Sequence, residues 1–180
     1  MWVALIKRYW EVCIFRETPA NTPYSLLLLG AVALFFFLLV VTQWMIADIE
    51  EVFTFSTSLL AAAALLVSYG VYTFILLSLF RVSSRTAQAL TSLLAGHTIV
   101  HLFAFPLLLV APWFVEAKMI QPLALLVAVV YLILTFVLTI WQFMITVHIY
   151  KHALGVEYFS AVLASFGLMA CNILIVSFWR

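Results

Sequence analysis

The sequence predicts an all-α, polytopic membrane bundle of five transmembrane helices preceded by an N-terminal amphipathic helix at the membrane interface. Three observations carry this. Of the 180 residues, 68% are hydrophobic and only 8% are charged, against the roughly 25% usual in soluble domains. Five apolar stretches, at about 24–46, 53–80, 87–112, 122–147 and 158–179, each contain no Asp, Glu, Lys or Arg. Each is long enough for the about 20 residues a helix needs to cross a hydrocarbon core. Finally, the basic residues alternate with the acidic ones from one inter-span segment to the next. The same figures exclude a disordered chain, a coiled coil and a disulfide scaffold, and a net charge of +1 gives no support to a nucleic-acid surface.

The first element, about residues 2–15, is not a secretory signal, since Lys7, Arg8 and Glu11 interrupt its apolar run. At 100° per residue these charges and Ala4 share one face, while Trp2, Leu5, Ile6, Tyr9 and Val12 cover much of the rest. That pattern predicts a helix lying on the cytoplasmic leaflet. Pro19 and Pro23 then turn the chain into the first span, because proline is tolerated at a helix start and not in its interior.

The spans themselves show no alternation of apolar and polar residues, as Leu26–Val41 illustrates, which excludes transmembrane strands. Lys7, Arg8, Arg16, Arg81, Arg85 and Lys151 fall on one side of the predicted topology. Asp48, Glu50, Glu51, Glu116, Lys118 and Arg180 fall on the other. Positive segments stay in the cytoplasm, so the expected orientation is N-terminus cytoplasmic and C-terminus periplasmic in an inner membrane. The linkers at 47–52, 81–86, 113–121 and 148–157 are too short to fold as soluble domains, so residues 1–180 form a single membrane domain.

Uncharged polar residues recur at helical spacing inside the spans. The fourth span has Tyr131, Thr135, Thr139, Gln142 and Thr146, and the fifth has Tyr158, Ser165 and Asn172 among Ala161, Ala164, Gly167 and Cys171. The second has Thr54, Ser58, Ala61, Ser68 and Tyr72 on one face, and the third has Gln88, Thr91, Thr98 and His101. Such stripes serve helix-to-helix packing, and they also suit the wall of a hydrated cavity. Pro106 cannot donate to the carbonyl of Leu102, which predicts a kink beside His101 and a polar point deep in the membrane.

All 4 histidines come in pairs four apart, His97 with His101 and His148 with His152. One helix face can present such a pair to a metal, but a complete site needs three or four ligands. Measured from the basic boundary, His148 lies about 4.5 Å inward, and His97 and His101 about 18 and 24 Å inward. The pairs occupy different layers and no acid accompanies the deep one, so no metal site is predicted. Bis-histidine haem ligation needs imidazoles on opposite faces of the porphyrin, which adjacent turns of one helix do not supply. His97 and His101 therefore enter only an alternative reading, as cofactor-binding residues of a haem- or quinone-associated redox subunit.

The segment Phe15-Arg16-Glu17-Thr18-Pro19-Ala20-Asn21-Thr22-Pro23-Tyr24-Ser25, with Trp141 and His148-Ile149-Tyr150-Lys151-His152-Ala153-Leu154, resembles uncharacterised small inner-membrane proteins of proteobacteria. These share a five-span layout with the Yip (Ypt-interacting protein) family, whose eukaryotic members are trafficking adaptors that contact small GTPases and one another. The resemblance implies a protein-binding membrane adaptor and brings no catalytic residues.

The expected function is a non-enzymatic scaffold, assembly factor or accessory subunit with no cofactor of its own. Its partners would be the lipid bilayer and other membrane proteins or further copies of itself, with no nucleic acid. Candidate partner contacts are Trp2, Trp10, Arg81, Arg85, His148, Lys151 and His152. Besides the redox reading, a small permease or flippase built on the polar stripes is the other alternative. No intramembrane acid and only 5 glycines weigh against a coupled transporter with broken helices.

Overall fold

A computed structural model describes residues 2–47, 54–116 and 122–178. The predicted acidic rim (Asp48, Glu50, Glu51, Lys118, Arg180) lies outside the described residues, as does the side chain of Glu116. Among the described residues the chain forms six helices and no strand: α1 (Trp2–Cys13), α2 (Leu26–Ala47), α3 (Phe55–Leu79), α4 (Thr86–Glu116), α5 (Pro122–Leu154) and α6 (Tyr158–Ser177). Helices α2 to α6 are long and apolar enough to cross a membrane.

Local chemistry sets the ends. α1 turns Leu5, Tyr9, Val12 and Cys13 toward the bundle, at the i, i+4, i+7, i+8 spacing of one helical face. It stops at Phe15, which adopts a left-handed φ of 62°, while Arg16 N–H closes on the Glu11 carbonyl at 2.9 Å. A 3-10 turn at Pro19–Asn21 follows, and Arg8 donates to the Asn21 carbonyl at 2.8 Å, folding this connection back on α1. Ser25 then accepts from Leu28 N–H at 3.2 Å and starts α2. Thr54 does the same for α3, accepting from Thr57 N–H at 3.3 Å.

α4 continues as one helix through Pro106. α5 differs from expectation at its C-terminal end, because 148–154 is helix rather than linker and carries His148, Lys151 and His152 on its last turns. Nothing between Thr146 and Leu154 breaks a helix, so it runs on until Gly155, whose φ of 69° lies in the left-handed region that favours a residue without a Cβ. The Gly155 and Val156 N–H groups then close on the Lys151 carbonyl at 3.0 and 3.3 Å. At 33 residues, α5 is about 50 Å long, well beyond the about 30 Å of a hydrocarbon core.

The long helices close into a ring in which α2 packs on α3 and α4, α4 on α5, α5 on α6 and α6 back on α3. α4 also touches α3, and α1 lies across α4 and α5. The core is concentrated at the end that holds the basic connections. There Leu77, Leu93, Ile149, Tyr150, Ala161 and Leu168 are all buried, and the Thr73 and Tyr150 hydroxyls share a 3.0 Å hydrogen bond. Small residues make this closeness possible. A Cβ on Gly96 would meet Ile145 Cγ2 at 2.9 Å and Cys13 Sγ at 3.5 Å, so α1, α4 and α5 meet at this one glycine. Gly167 in turn admits the Tyr72 hydroxyl, which donates to the Ala164 carbonyl at 2.7 Å.

Candidate ligand-binding cavity

The ring of helices leaves a cavity of about 450 Å³ on the side of the core away from the basic connections. All five long helices line it. Val40 and Trp44 come from α2, Leu65 and Tyr69 from α3, and His97 and His101 from α4. Thr139, Gln142 and Thr146 come from α5, and Ser165, Asn172 and Ile173 from α6. Among the described residues, no Asp, Glu, Lys or Arg is in this wall.

His97 is the centre of the polar part and only 3% exposed. Thr146 spends its hydroxyl hydrogen on the Gln142 carbonyl at 3.0 Å, so across the 2.9 Å contact with His97 it must accept, and His97 Nε2 carries the proton. The other nitrogen, Nδ1, is then bare. The Tyr69 hydroxyl donates to it at 2.6 Å, and the Gln142 amide nitrogen stands 3.0 Å from the same atom. The ring is thus neutral, with one nitrogen donating and one accepting. Its partners come from α3 and α5, so His97 also ties three helices together.

His101, one turn on, is held differently. The Gln43 side chain accepts from His101 Nδ1–H at 2.6 Å and donates to the His101 main-chain carbonyl at 2.8 Å. This clamp fixes the second imidazole with Nδ1 protonated, which leaves Nε2 as its acceptor. On the far wall Ser68 donates to Asn172 Oδ1 at 3.3 Å.

The deep histidine pair and the stripes of α5 and α6 therefore meet at one site, as cavity wall and packing contact at once. No family model, curated protein or solved structure matches this chain. The site is accordingly read from its own chemistry.

As a haem site the residues fit poorly. Both His97 nitrogens are engaged, and only Nε2 of His101 keeps its lone pair for iron. His97 and His101 use uncharged amide and hydroxyl partners rather than forming a metal cluster, and no group of three His, Cys, Asp or Glu converges among the described residues.

Two residues central to the site escaped the sequence reading. Gln43 is a lone amide in an apolar span, and Tyr69 lies one position away from the Ser68/Tyr72 stripe that was read as the polar face of α3. Each has a large polar group that a span would not retain without a partner. That signal was present for both. Other stripe members stay outside the cavity and bond to their own helix: Thr135 donates to the Tyr131 carbonyl at 2.9 Å, and Thr98 to that of Leu94 at 2.7 Å. Gln88 donates to the carbonyls of Ala20 and Thr22 and anchors the α1–α2 connection.

The partner-contact candidates separate into two groups. Some are used within the chain. His148 donates from Nε2 to the Glu17 carbonyl at 2.9 Å and meets Phe15 edge-on at 5.4 Å. Arg85 donates to the Ala153 carbonyl at 3.1 Å, capping the C-terminus of α5. Trp10 packs 6.0 Å from both Phe103 and Trp141, and remains 38% exposed. Others are left outward: Arg81 and Lys151 are exposed and His152 is half-buried. Trp2 belongs to α1, and its side chain lies outside the described residues.

Proposed function

We propose that this chain is a non-enzymatic multi-pass protein of an inner membrane that serves as a scaffold, assembly factor or accessory subunit. The observation that carries this reading is the dry plug at the basic end. Leu77, Leu93, Ile149 and Tyr150 are buried between the cavity and the basic connections, so the cavity is closed at that end rather than a path through the bundle. A bundle of this kind holds and presents surfaces, and the permease or flippase reading is the weaker for it.

In this proposal the N-terminus is cytoplasmic and the C-terminus periplasmic, in line with the bias of basic residues. The interfacial placement of α1 rests on its charged face, with Lys7, Arg8 and Glu11 on one side. Its C-terminal end reaches further in: the Trp141 indole N–H donates to the Cys13 carbonyl at 2.9 Å, and Trp141 lies about 15 Å inward of Lys151, deeper than the about 5–10 Å of a helix lying flat in the interface. The exposed Arg81 and Lys151 then face the cytoplasm, available to an acidic partner surface, consistent with the adaptor role that the Yip-like layout implies.

Purification in mild detergent followed by mass spectrometry of the co-eluting proteins tests the reading. A stoichiometric partner or a self-oligomer, lost on Arg81→Glu with Lys151→Glu, is the expected outcome. A solitary monomer that retains no partner under any mild condition overturns it. An absorbance spectrum of the same material decides the redox alternative, since bound haem must give a Soret band.

A further inference from the structure

We propose that the cavity ringed by α2 to α6 is a binding site for an uncharged, lipid-soluble molecule whose head carries hydroxyl or carbonyl oxygens. An isoprenoid quinone or quinol has this chemistry, as does a long-chain isoprenoid alcohol. The proposal does not depend on the accessory role above: a ligand without a protein partner, or a partner without a ligand, separates the two.

Polarity runs along the cavity in an unusual direction. Tyr69, Thr146 and Ser165 lie about 10–15 Å from the basic ends of their helices, at the floor of the cavity, with His97 just above them. Val176 lies about 27 Å along α6, where it, Ile173 and Trp44 make the wall mostly apolar, with Ser177 at the rim. The polar floor is therefore deep inside the apolar stretch of the bundle. A phospholipid is built the other way, with its charged head at the surface and its chains inward. A charged head at the floor would be stripped of water with no counter-charge in the wall, which is costly at this depth. An uncharged oxygen head faces no such penalty.

The hydrogen-bonding inventory states what that head must offer. Gln142 directs one amide hydrogen at His97, Asn172 accepts from Ser68 through its oxygen, and both amides reach the Tyr69 hydroxyl. The second hydrogen of the Asn172 amide can donate to a carbonyl or hydroxyl oxygen. Acceptors remain as well. His101 Nε2 is bare, and the Thr139 and Ser165 hydroxyls have given their hydrogens to the Thr135 and Ala161 carbonyls. They can receive a ligand O–H. A quinol, or any alcohol, satisfies both kinds of group with one functional group, whereas a hydrocarbon tail satisfies neither.

Size and access agree. The volume of about 450 Å³ lies within the roughly 300–1,000 Å³ typical of small-molecule sites, enough for a substituted ring and the start of a chain. Ile173 lines the cavity and is 56% exposed, so it stands at the cavity's open side. Where that mouth meets acyl chains, a tail can continue without leaving lipid.

The experiment is equilibrium binding to full-length protein in delipidated detergent solution, with decylubiquinone and its reduced form, farnesol, and phosphatidylglycerol as separate probes. Saturable one-to-one binding of the quinone pair or of farnesol is expected, and whichever arm binds tighter identifies the source. Asn172→Leu and Gln142→Leu should each weaken it at least tenfold. Ile173→Trp, at an exposed position, should block the mouth and abolish binding while helix content and elution volume stay unchanged. This variant decides the matter if the amide variants fail to fold. Equal affinity for phosphatidylglycerol, no saturable binding of any neutral probe, or binding that survives Ile173→Trp overturns the proposal.

Discussion

α5 is packed at one end and bare at the other. Ile145, Val147, Ile149 and Tyr150 have no accessible surface, while Leu132 and Phe136, earlier on the same helix, are 69% and 64% exposed. Both halves are apolar, so hydrophobicity does not explain the difference. Among lipid tails it has no reason to, because a leucine gains little by exchanging a lipid neighbour for a protein one. Close packing and polar pairing are what remain. The packed half faces Gly96 and the Thr73 hydroxyl, which allow near approach and offer a partner. The bare half carries Thr135, whose hydroxyl bonds within its own helix. Helices in this bundle thus adhere where small and polar residues are, and elsewhere leave their leucines exposed.

The comparison breaks most visibly under leucine truncation. Leu77→Ala, at a site without exposure, should cost about 2–5 kcal/mol in the unfolding free energy of the purified protein. Leu132→Ala should cost less than about 0.5 kcal/mol. Equal losses would mean that the outer half of α5 is packed against something that covers it.

A smaller effect sharpens the role of the small residues. Gly167→Ala drives a methyl group into the Tyr72 hydroxyl and breaks its bond to the Ala164 carbonyl, for a loss of about 1–3 kcal/mol. In a Tyr72→Phe background the oxygen at the closest approach is gone, so the same substitution should cost less. A double-mutant cycle reads the difference directly.

Next comes the attachment of α1 to the packed half. Trp141→Phe deletes the donor to the Cys13 carbonyl and should cost about 1 kcal/mol. Burial pushes the Cys13 thiol up to about 12, so alkylation at pH 8 should be slow in the parent and faster in the variant. The pH dependence follows from the same burial. An unfolded thiol ionises near 9.0 and the folded one near 12, so the unfolded chain releases its proton first as pH rises. The stability that this thiol contributes is complete below pH 9 and is lost between pH 9 and 12, measurable as a Cys13-dependent fall in melting temperature. The smallest effect belongs to the exposed Lys7–Glu11 pair at 3.9 Å, where Lys7→Ala should change stability by less than about 0.5 kcal/mol.

Much of the site was legible in the residues, but not its assembly. His97 and His101 stood out as deep polar groups, and the stripes containing Gln142, Thr146, Ser165 and Asn172 were visible as periodicities. Their convergence was not visible, because helical spacing specifies a face and says nothing about which face it meets. Gln43 and Tyr69 were passed over for the same reason, each being a single polar residue whose meaning lies in a partner on another helix. His148, expected as a partner contact, shows the same limit, since its local setting of basic residues gave no hint of its hydrogen bond to the Glu17 carbonyl.

What the amino-acid order determined alone is the set of five apolar helices and their approximate ends, with α5 running further than expected. Those depend on local terms, the high cost of charge in hydrocarbon and the stopping power of residues such as Gly155. The tertiary structure decided where the bundle closes, how the two imidazoles are protonated, and that a neutral cavity remains between the helices. Those depend on groups far apart in the chain meeting at contact distance, and hydrogen bonds and close packing act only at that range.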